Sequence, residues 1–242
     1  MTQPSTNGAT PASSGLTPAQ GNRLDPWFDA YAERAHNLRE SEIRALFSVV
    51  SRPEVVSLAG GMPNLKDLPL DKLAASAEKL VRNHGAQAMQ YGSGQGWEVL
   101  RERITEVMTY DVIIGADPDD VVVTTGSQQA LDLVTELFVN PGDVILAEAP
   151  SYVGALGVFR ARQADVVHVP MDEHGIIPEA LVETIRDVRA SGRTIKFIYI
   201  IPNYHNPAGV TLSAERRPII AEICLREHVL IVEDNPYGLL GF

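Results

Sequence analysis

From Asp119 onward the chain settles into one repeating pattern, and that pattern constrains its fold more than any other feature. Short runs rich in β-branched residues occupy 121–125, 144–148, 165–169, 195–201 and 229–233. Between them lie helical stretches near 127–138, 153–163, 178–190 and 215–227. Strands that alternate with helices are joined by crossovers, so they run parallel and need cover on both faces. The expected class is α/β, a mostly parallel sheet flanked by helices. With 242 residues, 45% of them hydrophobic, the chain can bury a substantial core without a disulfide or metal staple.

The upstream third reads differently. Residues 1–22 carry no charged side chain and consist mainly of Ser, Thr, Ala, Pro, Gly, Gln and Asn. Too little apolar surface is present there to offset the entropy of ordering, so residues 1–24 are expected to form a disordered leader. Order is expected from Asp25-Pro26, where Asp suits a helix cap and Pro the first helical position. In 41–50, Ile43, Leu46, Phe47 and Val50 share one face of a helix that Arg52-Pro53 ends. The stretch 54–70 is irregular, 70–83 and 97–108 read as helices, and 90–96 is a glycine-rich loop. A division follows, with 25–90 an N-terminal segment and part of a small domain, and 91–242 a ligand-binding domain.

Composition removes several function classes. Lys and Arg total 20 against 31 Asp and Glu, a net charge of −11, which argues against nucleic acid or an anionic membrane as main partner. The single cysteine, Cys224, excludes an intramolecular disulfide framework and a CxxC site. The six histidines never fall in an HxxxH or HExxH spacing. No apolar run approaches the roughly 18 residues of a membrane-spanning helix, and no secretory start is present. The expected compartment is the cytoplasm.

In parallel sheets ligands sit beyond the carboxyl ends of the strands. The segments there read Gly126-Ser127-Gln128, Pro150-Ser151-Tyr152, Asn203-Tyr204-His205-Asn206-Pro207 and Asp234-Asn235-Pro236-Tyr237. Gly126-Ser127-Gln128 reads as a phosphate cradle at a helix N-terminus or as an ordinary serine-capped turn. Asn206 reads as an amide donor or as part of a turn. Asp234, at the mouth of an apolar strand, needs a cation or several donors: a structural ion-pair partner or a protonated heteroaromatic nitrogen are the two readings. Tyr152 and Tyr237, taken singly, read as packing residues. Gly92-Ser93-Gly94-Gln95-Gly96 follows no clear strand and has Trp97 where a dinucleotide fingerprint needs glycine. Taken together, the phosphate cradle, stacking aromatic, amide donor and acid describe a bed for a phosphorylated, protonated aromatic ring. Pyridoxal 5′-phosphate is such a molecule.

Six segments then carry a resemblance: SLAGGMPN (57–64), QYGSGQG (90–96), TTGSQQAL (124–131), PSY (150–152), PNYHNPAG (202–209) and VEDNPYG (232–238). In this order the chain resembles a fold-type I pyridoxal-phosphate-dependent aminotransferase of class I/II over about 40–242. SEIR at 41–44 resembles the subgroup acting on 2-aminoadipate, kynurenine and branched or aromatic amino acids. The resemblance implies that Gly126, Ser127 and Gln128 hold the cofactor phosphate, Tyr152 stacks on the ring and Asp234 pairs with its nitrogen. Asn206 and Tyr237 would donate to the phenolic oxygen. Tyr91 would reach the phosphate of a neighbouring subunit in a homodimer. Gly61, Asn206 and Arg44 would meet the substrate, an amino acid or a 2-oxo acid.

One departure stands out. The family's Schiff-base lysine lies one strand beyond the Asp-x-x-Tyr segment, whereas Lys66, Lys72, Lys79 and Lys196 all precede Asp234. The chain is therefore expected to be the N-terminal fragment of a longer aminotransferase, poorly stable and inactive alone. The missing strands are expected to insert between the strands at 121–125 and 195–201. A fold-type I lyase or decarboxylase is the alternative, as is the aminotransferase-like domain of a transcription regulator. The uncharged N-terminus, with no basic helix-turn-helix, is expected to tell against the latter.

Overall fold

The computed structural model describes residues 25, 27–37, 52, 54–56, 65, 67–111, 113 and 115–241. The chain divides into two units, the first comprising residues 1–38 and the second 39–242. Within the first, Phe28–Ala30 and Glu33–Asn37 are 3-10 turns. The helix expected from Asp25 is thus only a tight turn, with the Trp27 N–H donating to Asp25 Oδ1 at 2.9 Å. The leader and the helix expected at 41–50 lie outside the described residues.

The second unit holds helices α1 (Leu70–Ala88) and α2 (Glu98–Met108), followed by the alternating region. That region runs α3 (Gly126–Phe138), β1 (Val144–Ala149), α4 (Val153–Ala161), β2 (Asp165–Asp172) and β3 (Gly175–Ile176). It continues with α5 (Pro178–Ala190), β4 (Ile195–Ile200), α6 (Arg216–Arg226) and β5 (Leu230–Glu233). The sheet order is β3-β2-β1-β4-β5, parallel throughout except for the β2–β3 hairpin.

Period-two alternation in β1 sorts the core. Val144 and Leu146 face α5 and α6, where Leu181, Ile185, Val188, Ile220 and Cys224 complete one cluster. Ile145 and Ala147 face α3 and α4, meeting Leu131, Ala155, Val158 and Phe159. Phe159 packs edge-on against Phe197 and Tyr199, with ring centroids 5.8 and 5.5 Å apart. Helices therefore cover both faces, as the alternation predicts. At the hairpin edge Arg216 on α6 grips Asp172 through both nitrogens (2.6 and 2.8 Å) and donates to the Gly175 carbonyl. That guanidinium, with help from the His174 N–H, holds the Asp172 carboxyl down at about 2.

One expectation needs correction, and a second is narrowed. Residues 121–124 form no strand; the Val123 N–H donates instead to the Gln95 carbonyl at 2.7 Å. A strand exists only through its ladder, and no described strand lies alongside this segment to supply one. Both edges of β4 are taken, by β1 and β5, so strands inserted between 121–125 and 195–201 would have to lie beyond β5. The open edge is that of β5.

Candidate functional site

Three loops and one helix start meet at the carboxyl end of the sheet. Helix α3 begins at Gly126, whose φ of +75° suits glycine, and the space where its Cβ would lie is open. The Thr125 side chain makes no cap bond and the first turn holds no acid. Gln129 Oε1 accepts the Thr125 N–H at 2.6 Å and the Gly126 N–H donates to the Thr124 carbonyl, which leaves the N–H groups of exposed Ser127 and Gln128 toward solvent. Gln128 Nε2 reaches the Gly154 carbonyl at 3.4 Å, linking this turn to the start of α4, which follows the loop after β1. In that loop Tyr152 is half-buried against the α3–α4 cluster. Its ring lies so close over Gly154 that a Cβ there would meet it at 2.4 Å. Neighbouring Ser151 is buried, and its hydroxyl has no partner.

Asp234 follows β5 and is half-buried, its backbone N–H bonded to the Ile200 carbonyl. Its Oδ2 accepts from the Tyr199 hydroxyl at 2.6 Å. Tyr199 is fully buried. Burial first, and then the adjacent carboxylate, pushes its phenol well above the usual tyrosine value, so it stays a neutral donor. Sequence reasoning missed Tyr199, which sits in an otherwise apolar strand and reads there as core. The β4 and β5 loops are joined by Asn203 donating to Asn235 at 2.9 Å. Half-buried Asn206 and Tyr237 lie on these two loops, and the Asn206–Pro207 bond is cis.

The structure thus brings Gly126, Ser127, Gln128, Tyr152, Asn206, Asp234 and Tyr237 to one end of the sheet. Tyr91 is set apart: it is fully exposed, on the rim of a cavity of about 600 Å³ lined also by His84, Trp97 and Arg101. Gly61 and Arg44 lie outside the described residues. Of the described lysines, Lys196 pairs with Asp143 at 3.2 Å, at the start of β1 and away from the site. Lys72 and Lys79 are exposed on α1. Among the described residues no cluster of His, Cys, Asp or Glu could hold a metal, and no helix is long and apolar enough to cross a membrane.

The donor set fits pyridoxal 5′-phosphate. A helix start with the Ser127 and Gln128 N–H groups exposed suits a phosphate, and a buried phenol fixes a carboxylate suited to a protonated ring nitrogen. The family described as aminotransferase class I and II matches residues 53–242. The chain belongs to the class I and II aminotransferases. It is 38% identical over 212 residues to aromatic-amino-acid aminotransferase 1 of Thermococcus litoralis, covering 88% of this chain and 51% of that protein. To the 2-aminoadipate transaminase of Thermus thermophilus it is 35% identical over 216 residues, covering 89% and 52%. The crystal structure of Pyrococcus horikoshii kynurenine aminotransferase, solved in complex with PMP, matches with a TM-score of 0.81 at 33% identity, covering 89% and 53%. The α/β class and mostly parallel sheet are shared with these aminotransferases. The chain spans about half the length of the relatives it matches, in line with its being one part of a longer aminotransferase.

Proposed function

We propose that the protein carrying this chain transfers an amino group between an amino acid and a 2-oxo acid with pyridoxal 5′-phosphate, and that this chain supplies the cofactor's bed. The observation that carries the proposal is the meeting of the Ser127–Gln128 helix start, Tyr152, Asn206 and a phenol-held Asp234 at one sheet end. When bound, the cofactor supplies an electron sink through its protonated ring. Gly126, Ser127 and Gln128 donate to the phosphate, and Tyr152 covers one ring face. Asp234 keeps a proton on the ring nitrogen, its orientation fixed by Tyr199. Asn206 and Tyr237 donate to the phenolic oxygen.

The remaining assignments extend the same proposal. Gly61 and Asn206 receive the substrate carboxylate, and Arg44 its distal end. Tyr91, whose ring points wholly into solvent, completes the bed of a neighbouring subunit in a cytoplasmic homodimer serving amino acid metabolism. Residues 91–242 form the cofactor-binding part of the large domain, and 25–90 the N-terminal segment with part of a small domain. The names of the relatives point to aromatic, 2-aminoadipate or kynurenine-type amino donors.

Pyridoxamine 5′-phosphate needs no lysine to bind, so its titration into the 242-residue chain tests the bed. The expected result is saturable binding that weakens at least tenfold for pyridoxamine, which lacks the phosphate, and for Asp234→Ala. Equal affinity for both ligands would remove the phosphate cradle and with it the proposal. Turnover is expected only from a longer protein that adds the lysine.

A further inference from the structure

Two of the few buried polar side chains have no part in the bed described above. Glu148, near the end of β1, and His205, in the loop after β4, are 1% and 2% exposed. A carboxylate so deeply buried needs donors to remain in place. Glu148 Oε2 accepts the Ile201 N–H at 2.8 Å, just where the β4 ladder ends. The same oxygen stands 3.1 Å from His205 Nε2, without the alignment of a hydrogen bond.

The other polar groups of His205 are all spent on its own loop. Its N–H donates to the Val210 carbonyl at 2.8 Å and its carbonyl accepts the Gly209 N–H at 2.5 Å. Nδ1 accepts the Ala208 N–H at 3.3 Å. An accepting Nδ1 carries no proton, so the ring proton sits on Nε2, facing Glu148. The backbone on both sides of Asn206 is therefore hung from one buried ring, and that ring abuts a carboxylate fixed to β1 and β4.

We propose that Glu148 and His205 are positioning residues that aim Asn206 at the ring of the cofactor. The inference rests on the cofactor reading above. The 3.1 Å approach closes into an aligned hydrogen bond when Asn206 is engaged, as contacts in unliganded sites commonly do. The pair also couples the Tyr152 loop to the Asn206 loop, since Glu148 lies four residues before Tyr152 on the same strand end.

The test is a double-mutant cycle on pyridoxamine 5′-phosphate affinity in the 242-residue chain, read by ligand fluorescence, with circular dichroism confirming the fold of each variant. Asn206→Ala and Glu148→Leu are each expected to weaken binding about tenfold, one hydrogen bond to a charged group. The double variant is expected to bind no worse than the weaker single, because a misaimed Asn206 has nothing left to lose. Glu148→Gln keeps both acceptor contacts and is expected to restore affinity to within about threefold of the unmodified chain. Losses that multiply to about a hundredfold in the double variant would overturn the positioning role and leave the cofactor bed standing. Absence of binding by the unmodified chain, with its fold confirmed by circular dichroism, would overturn both. A second measurement is independent of how well Glu148→Leu folds: nitrogen NMR of His205 in the unmodified chain. It should show the Nε2–H tautomer and a ring-nitrogen shift on adding ligand; an Nδ1–H tautomer, or no shift on saturation, would overturn the inference.

Discussion

The two edges of the sheet are finished in opposite ways. At one edge β2 turns back as the β2–β3 hairpin, and the Arg216–Asp172 grip ties that hairpin to α6. At the other, β5 has four residues, Leu230 is 44% exposed, and among the described residues no strand pairs with the β5 edge away from β4. Residues 121–124 have the composition of a strand and form none. β-propensity describes fitness for a half-buried, paired surface, and without a neighbouring ladder it does not make a strand. The Gln95 carbonyl instead takes the Val123 N–H that a ladder would have used.

The comparison can be broken by substitution. Ile145 is fully buried in the central strand, and Ile145→Ala is expected to cost about 2–5 kcal/mol in urea unfolding. Leu230→Ala, on the open edge, is expected to cost about 1 kcal/mol or less. Equal costs would mean that β5 is as firmly built as β1.

The stapled edge carries a pH signature. Asp172 titrates at about 2, below its ordinary 3.8, because Arg216 and the His174 N–H favour the charged form. A carboxyl depressed by folding stabilises the fold above its unfolded value, and that contribution fades as pH falls through the folded one. Stability should therefore drop from about pH 4 toward about pH 2, and Asp172→Asn should flatten that part of the profile. An unchanged profile would show that the staple is not coupled to folding. The smallest effect is expected at Val122, which is 55% exposed in the unpaired segment. Val122→Ser should shift stability by no more than about 0.5 kcal/mol, and a larger loss would mean that the segment is paired after all.

Much of this was legible in the sequence, for reasons that differ by residue. The core strands and helices announced themselves by period, as in Leu181, Ile185 and Val188 on α5. Gly126, Tyr152, Asn206 and Asp234 could be read as a set because parallel sheets send strand ends to one side. Tyr199 could not, since a phenol inside Ile-Lys-Phe-Ile-Tyr-Ile looks like packing until its hydroxyl is seen against Asp234. Glu148 left a trace, one acid in an otherwise apolar run, but its partner His205 lies 57 positions away and only folding joins them. The strand expected at 121–125 failed because a strand's existence depends on a neighbour that its own residues do not encode.

The central claim is that these strand ends form a cofactor bed, and a crystal structure of the 242-residue chain with pyridoxamine 5′-phosphate tests it most directly. The account predicts the phosphate at the Gly126–Gln128 turn, on the N–H groups of Ser127 and Gln128, with the ring nitrogen turned to Asp234. Ligand bound elsewhere on the chain, or a ring nitrogen turned away from Asp234, would contradict it.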